Sequence, residues 1–170
     1  MAAVGLMAAL TAAGAFIRIP LPNIPITLQL PFVCIGSAYL GGRRGAASQA
    51  IYLAVGLIGF PVFAKGGGPQ YVFEPSFGYL LGFIPGAFII GHIADASTAL
   101  GRCVWAMLLG LSVVYISGIT YLWIIMRFLI ESPLSTAAII QLGAAPLLKD
   151  VLLCFPAAYT VIHLQRLRAF

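Results

Sequence analysis

Two stretches of the chain hold residue types that can recognise a small molecule. The first is the segment 61–75, where Lys65 is followed by Gly66, Gly67 and Gly68, and then by Tyr71, Phe73 and Glu74. Consecutive glycines expose backbone N–H groups and tolerate positive φ. Successive amides of this kind can form a concave seat for an anion such as a carboxylate. Phe63, Tyr71, Phe73, Phe77 and Tyr79 supply flat apolar walls. The combination suits a small ligand with one acidic end and an apolar body. A flexible glycine-rich connection flanked by membrane-interface aromatics accounts for the same residues equally well. The glycines are not a P-loop, because Lys65 precedes them, no Gly-Lys-Ser/Thr follows and no strand leads in.

The second stretch is Lys149-Asp150, set in an apolar run. Ionisable groups inside a membrane span cost roughly +2.5–3.5 kcal/mol each at the helix centre, and they persist where they face a cavity or a partner. Neighbours on a helix point about 100° apart at ~3.6 residues per turn, so the two are not expected to face one ligand squarely. Lys149 is favoured as a ligand contact over simple snorkelling to water; Asp150 stays open. Glu74 can accept from a ligand N–H or pair with Lys65 or Arg18. His92, Asp95 and His163 read as solvated or interfacial termini, and Arg18 as an anchor.

Enzymatic chemistry has little to build on. The chain carries four acids and two histidines, with no HExxH, no GxSxG and no acidic cluster for metal-bound phosphate. Cys34, Cys103 and Cys154 are widely spaced, which argues against a disulfide framework or metal site; they read as small apolar fillers. No catalytic residue, metal or cofactor is expected. A channel would repeat polar residues along its helices, and these segments are nearly bare. Binding at one face remains.

The elements that must position these residues follow from composition. Of 170 residues, 62% are hydrophobic and 8% charged, against roughly 25% charged in soluble domains. A soluble chain of this size cannot bury so much apolar surface, so the solvent is lipid. About 20 apolar residues span a bilayer. Cutting at charges, prolines and glycines predicts six spans in one domain covering 1–170: 1–17, 28–41, 45–60, 77–94, 103–126 and 146–163. The first reads as a membrane helix rather than a signal peptide, since more apolar segments follow. Pro20, Pro22 and Pro25 make 19–27 an extended loop, and 61–76 and 127–145 are long connections.

The net charge of +5 reflects topology rather than nucleic acid. Arg43, Arg44, Arg102, Arg166 and Arg168 fall on one side; Arg18, Lys65 and Arg127 fall on the other. This places both termini in the cytoplasm and the long connections, the expected working face, outside. In the first segment, Ala8/Ala12 and Ala9/Ala13 form small-residue stripes that permit close helix approach, within this bundle or to a partner.

The motifs together resemble a known family. Pro20, Ile24-Pro25-Ile26-Thr27-Leu28-Gln29, Gly41 and Gly45, Tyr52, Gly56-x-x-Gly59-x-Pro61-Val62-Phe63-Ala64, Gly66-Gly67-Gly68 and Pro75-x-x-Gly78-Tyr79-x-x-Gly82-Phe83 are similar to the BioY family, over most of 8–165. These are the biotin-binding (S) subunits of energy-coupling-factor transporters. The resemblance implies an all-α integral membrane bundle of six transmembrane helices, multi-pass in a bacterial plasma membrane. Biotin would bind near the extracytoplasmic face, under the first and third connections. It also implies that the alanine stripes (Ala8, Ala9, Ala12, Ala13) dock on a transmembrane coupling subunit, which binds two cytoplasmic ATPases.

The family pattern in the last helix is Asp-x-x-Lys, with both side chains on the biotin ureido ring. Lys149 matches the lysine, but Pro146 stands in the aspartate's place and the acid is Asp150; Glu74 is a candidate to take over part of the missing role. On this reading the Gly66–Gly68 amides, with Lys65, hold the carboxylate, and Lys149 meets the ureido oxygen. Phe63, Tyr71, Phe73 and Tyr79 enclose the rings, and Thr27 and Gln29 close the first loop as a lid. Two alternatives stay open: an S subunit for another vitamin, thiamin- or riboflavin-like, and a structural membrane protein with no transport role.

Overall fold

The computed structural model describes residues 1–20, 24–94, 97 and 99–168; Pro22, Asp95 and the side chain of Arg168, assigned above, lie outside the described residues. Among these residues the chain forms six long helices and one short one. They are α1 (Ala2–Phe16), α2 (Gln29–Leu40), α3 (Gly42–Ile58), α4 (Phe77–Ala94), α5 (Leu100–Ile124), α6 (Thr136–Ala144) and α7 (Leu147–Arg168). The six long helices are the six anticipated spans, and the architecture is the expected all-α membrane bundle. By length and composition, Phe77–Ala94, Leu100–Leu129 and Thr136–Leu167 are long and apolar enough to cross a membrane, while α1 and α2 are shorter apolar helices. Leu6, Phe16, Trp105, Ile116, Leu148 and Tyr159 are all more than half exposed on the outside, as lipid-facing side chains must be.

Several boundaries differ from the expectation, each for a local reason. α3 begins at Gly42, so Arg43 and Arg44 occupy its first turn, exposed; Gly41, at φ 84°, makes the break from α2 and returns its N–H to Ser37 O at 3.0 Å. α5 begins before Arg102, whose Nε donates to Ile93 O at 2.6 Å, so the charge ties two helix ends together instead of stopping one. Past Ile124 the helix widens into a π-turn, Ile125–Leu129, that carries Arg127. The connection 127–145 is not a plain loop. It holds α6, which Ser135 caps by accepting from Ala138 N at 3.2 Å, as small hydroxyl residues do at helix starts.

The two described ends of the first connection pair as strands of two residues each. β1 (Arg18–Ile19) pairs antiparallel with β2 (Ile26–Thr27), Arg18 opposite Thr27. The segment 61–76 folds back on α3 and contains one 3-10 turn, Pro69–Phe73.

Close helix approach organises the core. Gly78, Gly82 and Gly86 stand four apart on α4 and face α5. A Cβ at Gly82 would lie 2.9 Å from Val114 Cα, and one at Gly86 would lie 2.8 Å from Val114 Cγ2. Small residues at such spacing let backbones pack where hydrophobic exclusion from water cannot drive association. The alanine stripes of α1 divide. Ala8 is buried in the core and Ala12 packs against it, whereas Ala9 and Ala13 are exposed. Inside, Thr11 Oγ1 donates to Met7 O at 3.0 Å and accepts from Gln49 Nε2 at 3.2 Å, joining α1 to α3. All three cysteines are free and buried.

Replacing Gly82 by Leu is expected to wedge α4 from α5 and destabilise the bundle by about 1–3 kcal/mol, the usual range for overpacking. Gly101→Ala, at a position with open space around it, should leave the detergent thermal midpoint unchanged. Equal midpoints for the two variants would contradict this account of the α4–α5 seam.

Candidate functional site

The end of the bundle where α2, α4 and α7 begin encloses a cavity of about 60 Å3, smaller than the usual small-molecule site, so a ligand of vitamin size must spread its walls to enter. Its walls come from six elements: Ile24, Pro25 and Thr27 of the hairpin, Gln29 and Leu30 of α2, Ala64, Tyr71 and Ser76 of the long connection, Tyr79, Leu80 and Phe83 of α4, Val114 and Tyr115 of α5, and Lys149 and Asp150 of α7 with Pro146 just before it. The lining is mostly apolar, with polar groups converging on one space.

Those polar groups form a belt. Lys149 Nζ donates to Thr27 O of the hairpin and pairs with Asp150 Oδ1 at 2.6 Å. Asp150 Oδ2 accepts from Tyr115 OH at 2.7 Å. Thr27 Oγ1 donates to Gln29 Oε1 at 3.0 Å, Gln29 Nε2 donates to Tyr52 OH, and Tyr52 OH donates to Val62 O at 3.1 Å. One chain of contacts therefore links α5, α7, the hairpin, α2, α3 and the long connection. Two further tyrosines pin the rim: Tyr79 OH donates to Gly143 O at 2.8 Å and Tyr121 OH to Val72 O. The Tyr79 and Tyr115 rings meet edge to face, centroids 5.5 Å apart.

Lys149 and Asp150 face the same cavity, contrary to the helix-wheel expectation. The 100° separation applies to the Cβ directions. The four-carbon stem of Lys149 bends its ammonium back to the neighbouring carboxylate, which is 6% exposed. Thr27, Gln29, Tyr71 and Tyr79 also line the cavity.

The remaining candidates lie elsewhere. Phe63 sits behind the wall, 1% exposed, its ring filling the space left by the missing side chain of Gly56 and tilted against Tyr71 at 4.6 Å. Phe73 is 62% exposed and points away. Lys65 and Glu74 pair with each other at 2.8 Å, each about a third exposed, a contact worth little in water. The glycine amides are largely spent within the chain: Gly66 N donates to Phe63 O at 3.1 Å and Gly68 N to Gly56 O at 2.7 Å. Gly67 packs its backbone on Phe60 and Gly56. The three glycines thus fold the segment tightly against α3, and their amides do not converge into an anion seat.

Tyr115 and Ser76 are the polar wall residues that sequence reasoning missed. A tyrosine in mid-span was the available signal for Tyr115, because its hydroxyl needs a partner in lipid. Nothing local marks Ser76. Burial pushes the Tyr71 phenol above its ordinary pKa, opposed in part by hydrogen bonds with the Ser76 hydroxyl and the Lys65 backbone. Among the described residues no cluster of His, Cys, Asp or Glu could hold a metal.

A family model described as the BioY family matches residues 1–170. A protein of Lysinibacillus sphaericus named a probable biotin transporter BioY is 41% identical over 142 residues, 82% of this chain and 72% of that one. The biotin transporter BioY of Thermotoga maritima is 40% identical over 116 residues, 68% of this chain and 69% of that one. A crystal structure of the S-component for biotin from an ECF-type ABC transporter shares the fold, with a TM-score of 0.83 at 24% identity, covering 96% of this chain and 88% of that one. With the family model matching its whole length and with relatives this similar, the chain belongs to the BioY family.

Proposed function

We propose that the chain captures biotin from outside the cell and delivers it inward as the substrate-binding subunit of a transporter. One observation carries the reading: Lys149 and Asp150 converge on the cavity that Tyr71 and Tyr79 also line, and the relatives are named for biotin. A ureido group offers one carbonyl acceptor and two N–H donors. An ammonium has three donors and a carboxylate about four acceptor sites. Thr27 O and Asp150 engage two donors of Lys149, and Lys149 and Tyr115 engage two sites of Asp150. Capacity remains on both for the ureido oxygen and an N–H without dismantling the belt. Asp150, held by Tyr115, takes the role of the acid absent at Pro146. Tyr71, Tyr79, Leu80 and Phe83 surround the ring and chain, and burying those apolar atoms contributes most of the binding energy at about 25 cal/mol per Å2. Thr27, tied to Lys149 through its carbonyl, makes the hairpin a cover over the mouth that excludes water.

Delivery is assigned to partners. Ala9 and Ala13 lie exposed on α1 with Leu6 and Phe16, a small-residue face suited to a second membrane helix. We assign this face to a transmembrane coupling subunit that binds two cytoplasmic ATPases. The termini are then cytoplasmic and the cavity opens outward. The subunit itself carries no catalysis.

Lys149→Ala is expected to weaken biotin binding by about ten- to a hundredfold, as for a lost hydrogen bond to a charged group, measured by calorimetry on the detergent-solubilised protein. Unchanged affinity would remove Lys149 from the site. Calorimetry with thiamin and riboflavin, predicted to give no saturable heat, separates the vitamins.

Ala9→Trp/Ala13→Trp should bind biotin within about twofold of the parent, yet lose co-purification with the coupling subunit by about tenfold or more, since bulk at a close-packed seam forces the backbones apart. Intact co-purification would place docking on another face.

A further inference from the structure

Tyr52 of α3 belongs to the belt but not to the cavity wall. It is 2% exposed, and its ring packs edge-on against Phe63 with centroids 5.4 Å apart. Gln29 of α2 and Ala64 of the long connection form the wall in this region. A ligand therefore meets Gln29, and the phenol acts on it from behind.

Proton accounting fixes what the phenol does. A phenol has one proton to donate. Tyr52 commits it to Val62 O at 3.1 Å, and a backbone carbonyl can only accept. The phenol oxygen is then left with acceptor capacity alone, so the group that meets it must be a donor. Gln29 meets it with Nε2. The amide is thereby held in one of its two orientations, with Oε1 turned to Thr27, whose Oγ1 donates to it at 3.0 Å. A flipped amide would set Oε1 against the phenol oxygen with no proton between them.

Gln29 has two donor hydrogens and two lone pairs on its amide. One hydrogen goes to Tyr52 and one lone pair takes the Thr27 proton. One N–H and one lone pair remain, on a wall residue that is 5% exposed. At that depth an amide presented the wrong way round leaves polar groups unmatched on both sides of the contact, which is costly.

We infer that Tyr52 is a positioning residue for ligand binding. By donating to Val62 O and accepting from Gln29, it holds the Gln29 amide in the one orientation that the cavity offers to a ligand. The inference rests on the biotin reading and adds to it a Gln29 contact, together with the residue that sets its polarity.

The test is calorimetry with biotin on the parent, Tyr52→Phe, Gln29→Ala, the two combined, Gln29→Glu and Thr11→Ala. Tyr52→Phe keeps the ring against Phe63 and removes only the hydroxyl. Each of Tyr52→Phe and Gln29→Ala is expected to bind biotin about tenfold more weakly, the effect of about one hydrogen bond. The double variant should also lose about tenfold rather than about a hundredfold, because contacting residues that act through one another are not additive. Gln29→Glu, nearly the same shape but with no donor for the phenol, reads the contact from the other side and should lose about tenfold or more. Thr11→Ala breaks a different buried link to α3, the bond from Gln49 Nε2 at 3.2 Å. It should lower the thermal midpoint as Tyr52→Phe does, yet bind biotin within about twofold of the parent. Losses that multiply in the double variant, parent-like affinity in Tyr52→Phe, Gln29→Ala or Gln29→Glu, or an equal affinity loss in Thr11→Ala would overturn the inference. A parent that does not bind biotin refutes the biotin reading itself, and this inference with it.

Discussion

An ammonium and a carboxylate placed at the end of an apolar helical bundle must be matched locally, because the surrounding dielectric does not screen them and desolvation of either one alone is expensive. Here the matching is done by Thr27 of the hairpin and Tyr115 of α5, with the two charges 2.6 Å from each other. These partners come from elements far apart in sequence. Satisfying the charge therefore fixes how the first connection, α5 and α7 meet. Breaking such a set by removing one member leaves a buried charge uncompensated, which costs far more than the surplus the intact set contributes. The belt is best understood as a device that specifies geometry.

That geometry explains why a cavity survives in a bundle otherwise drawn together by small residues. Along α4, Gly82 and Gly86 let α5 approach to backbone contact. On another face of the same helix, Tyr79, Leu80 and Phe83 present bulky side chains to the cavity, and the hairpin and the 61–76 segment bridge its opening. Gly56 admits the Phe63 ring, which supports Tyr71 from behind. Close packing on one face of α4 and a bridged cavity on another are two consequences of where glycine and aromatic residues fall on the same helix.

The six long helices were legible in the sequence because span length and apolar composition are set by the bilayer, and the prolines of 19–27 announced an extended connection. What was not legible depended on contacts between distant residues. α6 hides in a connection because nine residues carry too little pattern, and its cap, Ser135, is a common residue. Arg102 looked like a boundary because its acceptor, Ile93 O, belongs to another helix. The glycine run was correctly seen as unusual, but whether its amides face a ligand or the protein is decided by α3, which takes the Gly68 donor at Gly56 O. Lys149 and Asp150 were both visible as costly residues. Their convergence was not, since a helical wheel tracks Cβ and not the end of a long side chain.

A structure of the protein crystallised with biotin tests the central claim most directly. The account predicts the ureido ring against Lys149 and Asp150, the Thr27 and Tyr115 contacts still in place, and the hairpin closed over the ligand. Density for biotin outside this cavity, or a Lys149 ammonium released from Asp150 and turned to the lipid headgroups, would contradict it.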